Sequence, residues 1–120
     1  MAGDLDGILV VGLEQAVAAP LASRLLADAG ARVIKVERPD GDFARHYDRY
    51  VMGESANFVW LNAGKQSLRL DLKLADDLAL LRRIVAAADV VISNLAPGAT
   101  TRLGIDAATL RAARPRLPPP

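Results

Sequence analysis

Gly30-Ala31-Arg32-Val33-Ile34-Lys35-Val36-Glu37-Arg38-Pro39-Asp40-Gly41-Asp42-Phe43-Ala44-Arg45 decides how the rest of this 120-residue chain is read. Arg32 to Val36 is rich in β-branched residues and alternates in part, the pattern of a buried strand. Gly30 in front of it is a natural stop for a preceding helix. Behind it, Glu37-Arg38 runs into Pro39-Asp40-Gly41, a turn former. A strand that ends in charged side chains and a turn is how an α/β protein delivers groups to a ligand at the carboxyl end of its sheet. The plain alternative for the adjacent Glu37 and Arg38 is a solvated ion pair.

Upstream, Gly7-Ile8-Leu9-Val10-Val11-Gly12-Leu13 is a continuous apolar run bounded by glycine, as expected of a parallel strand buried on both faces. Glu14 to Ala19 reads as a connection, and Pro20 suits the first turn of a helix, where its missing N–H costs nothing. Leu21, Leu25 and Ala29 continue at helical spacing, with Arg24 and Asp28 four apart on the polar side. Strand, helix and second strand make a βαβ unit with an expected right-handed crossover. A dinucleotide-binding domain begins in the same way, and Glu37 stands where such a domain keeps its ribose-binding acid. The first turn argues against that reading: Gly12-Leu13-Glu14-Gln15-Ala16-Val17 lacks the G-x-G-x-x-G loop that lets a pyrophosphate approach the backbone.

Downstream, Pro39 to Ala56 has mixed charge and no sustained period, which predicts a long loop over the sheet. Asn57 to Asn62 is too short for periodicity to separate a helical turn from an extended piece, and Trp60 within it is expected in the core. Ser67 to Leu72 alternates, with Leu68, Leu70 and Leu72 on one face, and predicts a third strand. Leu74, Leu78, Leu81, Val85 and Ala88 predict a helix over Ala75 to Ala88, with Asp76 and Asp77 favourably placed in its first turn. Asp89 to Ile92 predicts a fourth strand opening into the turn cluster Ser93 to Gly98. A short helical turn around Thr100 to Gly104 follows, and Asp106 caps a last helix, Ala107 to Ala113.

Composition narrows the function classes. Fifteen Lys and Arg against fourteen Asp and Glu give no charge case for nucleic acid or for an anionic membrane. Without cysteine there is no disulfide, thiolate metal site or cysteine nucleophile, and a reducing cytoplasm fits. One histidine, His46, excludes a multi-histidine metal site. No apolar run approaches the ~20 residues of a spanning helix. A small molecule or another protein chain is the expected partner.

Taken together, Leu5-Asp6-Gly7-Ile8, Leu26 to Ala31, Val33 to Pro39, Gly41 to Arg45, Asn62 to Ser67, Leu70 to Lys73, Ala88 to Asn94, Pro97-Gly98 and Arg102-Leu103-Gly104 carry a resemblance in both order and spacing. The chain resembles the N-terminal part of the CaiB/BaiF, or family III, coenzyme A transferases from about Leu5 to Leu117. The resemblance implies an α/β fold, a Rossmann-like parallel sheet flanked by helices, forming an incomplete large domain that binds coenzyme A. It implies enzymes that move CoA between an acyl-CoA and a small carboxylic acid, act without a metal, and form cytoplasmic homodimers. By position, Arg38 would contact the CoA nucleotide. Leu70, Asp71, Leu72 and Lys73, the loop Asn94, Leu95 and Ala96, and then Arg102 would line the same cleft. Val17 and Ala18 match the turn that approaches the thioester. Guanidinium and ammonium groups at strand ends suit a 3′-phosphate and a pyrophosphate.

The family's nucleophilic aspartate, which forms a mixed anhydride with the acyl group and then a thioester with CoA, matches no residue of this chain. The His and Asp of racemases with the same fold match none either, so His46 takes no catalytic role. Residues 1–117 are thus expected to be a partial CoA-binding domain, and Pro118-Pro119-Pro120 a proline tail where the family continues into a strand. The alternatives are a piece of an acyl-CoA racemase or a non-enzymatic remnant. The segments Glu14 to Pro20 and Phe58 to Asn62 resemble members acting on small dicarboxylic acids.

Overall fold

The sheet has four parallel strands: β1 (Leu9–Leu13), β2 (Arg32–Glu37) and β4 (Val90–Ser93) form from apolar β-branched runs, whereas β3 (Gln66–Arg69) is a polar strand with Leu68 as its one apolar residue. They form one sheet in the order β3-β2-β1-β4. The structure, a computed structural model, describes residues 3–115 and 117; Pro118 to Pro120 lie outside the described residues. In register, Val10 lies beside Val33 and Val90, and Lys35 lies between Gly12 and Ser67.

Because strand side chains alternate, each strand supplies two faces. Val10 and Val33 pack on one side with Ala31, Leu26 and Ala27, against α1 (Ala18–Asp28). Val11, Leu13, Val36 and Leu70 pack on the other with Leu81, Val85 and Ala88, where α3 (Ala75–Ala87) lies. Leu68 and Leu72 join that same core, so the alternation read over Leu68, Leu70 and Leu72 is correct although β3 itself stops at Arg69. Full burial of side chains such as Leu81 and Val85 contributes ~1.5–3 kcal/mol each.

Helix boundaries follow local chemistry. α1 begins at Ala18, two residues earlier than Pro20, which then occupies the first turn, where backbone N–H groups lack intrahelical acceptors. Asp106 caps α5 (Ala107–Ala113) by accepting the Thr109 N–H, as its sequence position predicts. Between them runs α4 (Ala99–Leu103). The 39–56 stretch is not all loop: Asp42 caps a 3-10 turn over Phe43–His46, and Ser55 caps α2 (Ala56–Leu61) through the Phe58 N–H. Trp60 departs from expectation and is 54% exposed; Leu61 is the residue of that helix that enters the core. A six-residue helix presents too few positions for its buried face to be read from spacing.

Candidate functional site

Parallel strands all end at the same edge of a sheet, so four carboxyl ends bring their loops together here. They enclose a cleft of about 860 Å³. Its floor is apolar, from Leu13, Val36, Leu70, Leu72 and Leu95, and its rim carries Arg38, Asp40, Asp71 and Lys73. The strand order reverses between β1 and β4, and Gln15 after β1 and Ala96 after β4 both line the cleft. Among the described residues no group of three His, Asp or Glu is placed to hold a metal ion, and no helix is long and apolar enough to cross a membrane.

Glu37 and Arg38 do not form a pair. Successive side chains in a strand point to opposite faces, and Glu37 turns inward while Arg38 turns to the rim. Arg38 Nε stands 3.8 Å from Asp40 Oδ1, with both side chains largely exposed. Such a pair is weak in water, which leaves the guanidinium available to a ligand.

Glu37 is instead a structural anion. Its carboxylate receives Arg45 Nε at 2.9 Å and Nη2 at 2.7 Å, the Asp42 N–H at 2.9 Å and the Ser67 hydroxyl at 2.9 Å. Burial pushes its pKa up, but the Arg45 side chain, the Asp42 N–H and the Ser67 hydroxyl outweigh burial and hold it at about 2. Arg45 lies over the Phe58 ring at 3.9 Å, tying the 3-10 turn to α2. Gly41 makes the arrangement possible: a Cβ there would meet Arg45 Cδ at 2.9 Å, and its φ of +82° favours glycine.

Behind the cleft lies a group of buried charges that the sequence did not disclose. Lys35, 1% exposed, donates to Asp42 Oδ2 at 2.8 Å and to Asn62 Oδ1 at 3.0 Å. Lys65 donates to Glu14 Oε1 at 2.7 Å, to the Pro20 carbonyl at 2.8 Å and to Asn62 Oδ1 at 2.9 Å. The Ser23 hydroxyl completes the Glu14 carboxylate. Two lysines against two carboxylates leave the buried set neutral. Burial lowers the Lys65 pKa, opposed by its bond to Glu14. Gly12 provides the space, since a Cβ there would stand 2.7 Å from Glu14 Oε2.

Of the positions singled out in the sequence, Arg38, Leu70, Asp71, Leu72, Lys73, Leu95 and Ala96 line the cleft together. Asp71 is anchored by its N–H to Asp77 Oδ2 at 2.8 Å and turns Lys73 by accepting its N–H at 3.1 Å. Val17, Ala18, Asn94 and Arg102 are not on the lining. Val17 precedes α1, Ala18 is its first residue, and Arg102 is exposed on α4. Asn94 is engaged with the Gln15 backbone. Gln15, Val36 and Leu13 belong to the lining and were not singled out.

Comparison with known proteins gives a consistent picture. The sequence model of CoA-transferase family III matches residues 5–117. The chain is 40% identical over 116 residues to the acetyl-CoA:oxalate CoA-transferase of Acetobacter aceti, covering 96% of this chain and 30% of that protein. It is 40% identical over 121 residues to the succinate–glutarate CoA-transferase of Agrobacterium fabrum, covering 94% and 30% respectively. Among solved structures, a CaiB/BaiF family protein from Brucella suis superposes with a TM-score of 0.90 at 39% identity, covering 98% of this chain and 32% of that one. The chain therefore spans about a third of the length of these relatives.

Proposed function

Because the chain belongs to CoA-transferase family III, we propose that its sheet-end cleft is the coenzyme A half of a CoA-transferase site. The observation that carries this is the placement of two exposed cations, Arg38 and Lys73, beside Asp40 and Asp71 on the rim of an apolar floor. Arg38, directly after β2, and Lys73, in the loop after the neighbouring β3, line the same cleft, and among the described residues neither is spent on a buried partner. Guanidinium and ammonium groups there suit the phosphates of CoA, while Val36, Leu70 and Leu95 suit its adenine and pantetheine.

The acyl acceptor in this reading is a small carboxylic acid. The names of the two relatives above point to oxalate, succinate and glutarate, which supports a dicarboxylic acid. The carboxylate that attacks the thioester carbonyl and expels the CoA thiolate is assigned to the portion of the relatives that this chain does not match. Metal-free chemistry, a cytoplasmic site of action and a homodimer are parts of the same proposal. The exposed Tyr50, Met52 and Trp60 support an extensive protein contact, since apolar side chains grouped in one segment favour burial. Calorimetric titration of CoA into the chain tests the proposal, with the Arg38→Ala variant as its control.

A further inference from the structure

The turn between β1 and α1 is held from both sides, and by groups that leave one side chain over. Asn94, at the end of β4, uses its whole carboxamide on a single residue: Oδ1 accepts the Gln15 N–H at 3.0 Å and Nδ2 donates to the Gln15 carbonyl at 2.8 Å. From the other side, Asp42 Oδ1 accepts the N–H of Ala16 at 3.1 Å, while its Oδ2 is fixed by buried Lys35 at 2.8 Å. Ala16 has a φ of +64°, a left-handed conformation that a residue with a Cβ rarely adopts. Such a conformation persists only where its surroundings enforce it. Three consecutive backbone groups, the N–H and C=O of Gln15 and the N–H of Ala16, are thereby consumed.

The Gln15 side chain is not. It lines the cleft and makes no hydrogen bond among the described residues. It also stands at the point where the strand order reverses, the place where open α/β sheets receive ligands.

We infer that Asn94 and Asp42 are positioning residues that lock the 14–17 turn so as to present the Gln15 carboxamide to an acyl-CoA in the cleft. The amide N–H₂ would donate to the thioester carbonyl or to a carboxylate of the acyl group, a role no apolar side chain could supply. Asn94 therefore acts through Gln15 rather than by touching the ligand itself. The inference rests on the CoA-site proposal for its ligand, but the clamp is measurable without one.

The test uses the full 120-residue chain, with succinyl-CoA and CoA as probes. Asn94 is exposed, so Asn94→Ala, which removes two hydrogen bonds to the turn, should lower the thermal midpoint only modestly and leave unfolding cooperative; Asp42→Asn is a second variant, read only where it melts cooperatively. By amide hydrogen exchange, Asn94→Ala should abolish protection of the Gln15 N–H, and Asn94→Asp, which keeps the acceptor, should retain it. In binding, Gln15→Leu and Asn94→Ala should each weaken succinyl-CoA about five- to tenfold, the loss of one well-placed hydrogen bond, with CoA affinity little changed. A Gln15 amide that exchanges equally fast in the parent chain and in Asn94→Ala overturns the clamp. Unaltered succinyl-CoA affinity in Gln15→Leu overturns the role of the carboxamide. If the parent chain takes up neither probe, the CoA-site proposal and the ligand role fall together, and exchange alone decides the clamp.

Discussion

Glu37 and Arg45, eight residues apart, form a two-point ion pair, Nε to Oε2 at 2.9 Å and Nη2 to Oε1 at 2.7 Å, that closes the loop after β2 back onto its own strand. Removing the guanidinium leaves a carboxylate buried with only neutral donors, and also takes the nearer of two cations from the Phe58 ring, Lys35 remaining at 5.5 Å. Arg45→Ala is expected to lower the unfolding free energy by about 2 kcal/mol, less than the ~3–5 kcal/mol of a fully buried pair because the Arg45 side chain is 26% exposed. Arg45→Lys should lie between, since an ammonium cannot reproduce the two-point fork. Urea unfolding checks both, and a wild-type midpoint in Arg45→Ala would remove the pair from the account of stability.

The same carboxylate sets an acid limit. Its folded pKa of about 2 lies below the ordinary 4.5, so the folded state favours the ionised form. The resulting stabilisation, on the order of 3 kcal/mol, is complete above pH ~4.5 and disappears as the pH falls toward 2. Glu37→Gln lacks this titration. The stability difference between the parent chain and Glu37→Gln should be constant from pH 7 to pH 5 and shrink from there downward. A difference that keeps its neutral-pH size down to pH 2.5 would contradict the assignment.

These pairings show what the sequence disclosed and what it withheld. Strand periods, the Asp106 cap and the α3 stripe depend on near neighbours in the chain, and they were legible. Glu37 was read with Arg38 because the two are adjacent, although strand alternation sends adjacent side chains to opposite faces and was itself a signal against that pair. Its true partner lies beyond a turn, at Arg45, and only the path of that turn brings it back.

Lys35 and Asp42 couple buried charges across that same loop. Asp42→Ala takes from the buried Lys35 ammonium the carboxylate it is hydrogen-bonded to, leaving it Asn62 and the more distant Glu14 Oε1 at 3.8 Å, and also frees the Ala16 and Ala44 N–H groups. We expect a loss of about 3–5 kcal/mol, whereas the double variant Lys35→Met with Asp42→Ala should cost less than the sum of the two single changes by ~1–3 kcal/mol. Denaturant unfolding of the four proteins closes the cycle. Strict additivity would show that the two residues do not act as a pair.

The candidate site was legible in part for a related reason. Arg38 and Leu70 to Lys73 sit at strand ends, where order along the chain already implies a common edge. Lys35 was not legible, because a charged residue inside a strand reads as a solvent-facing position. Its burial follows from β1 and β3 flanking it and from α2 and the 3-10 turn carrying Asn62 and Asp42 to its ammonium. Asn94 stood at the right strand end, but its bonding to Gln15 depends on β4 lying beside β1, an arrangement that no local pattern encodes.

Titration of coenzyme A into the chain by calorimetry, with Arg38→Ala and Lys73→Ala alongside, tests the central claim most directly. Both side chains are exposed, so neither change should alter the melting transition. The cleft reading predicts saturable binding of CoA by the parent chain, weakened about tenfold or more by each substitution through the loss of a charge-assisted contact. Absence of binding at millimolar CoA, or an affinity that neither substitution changes, would contradict it.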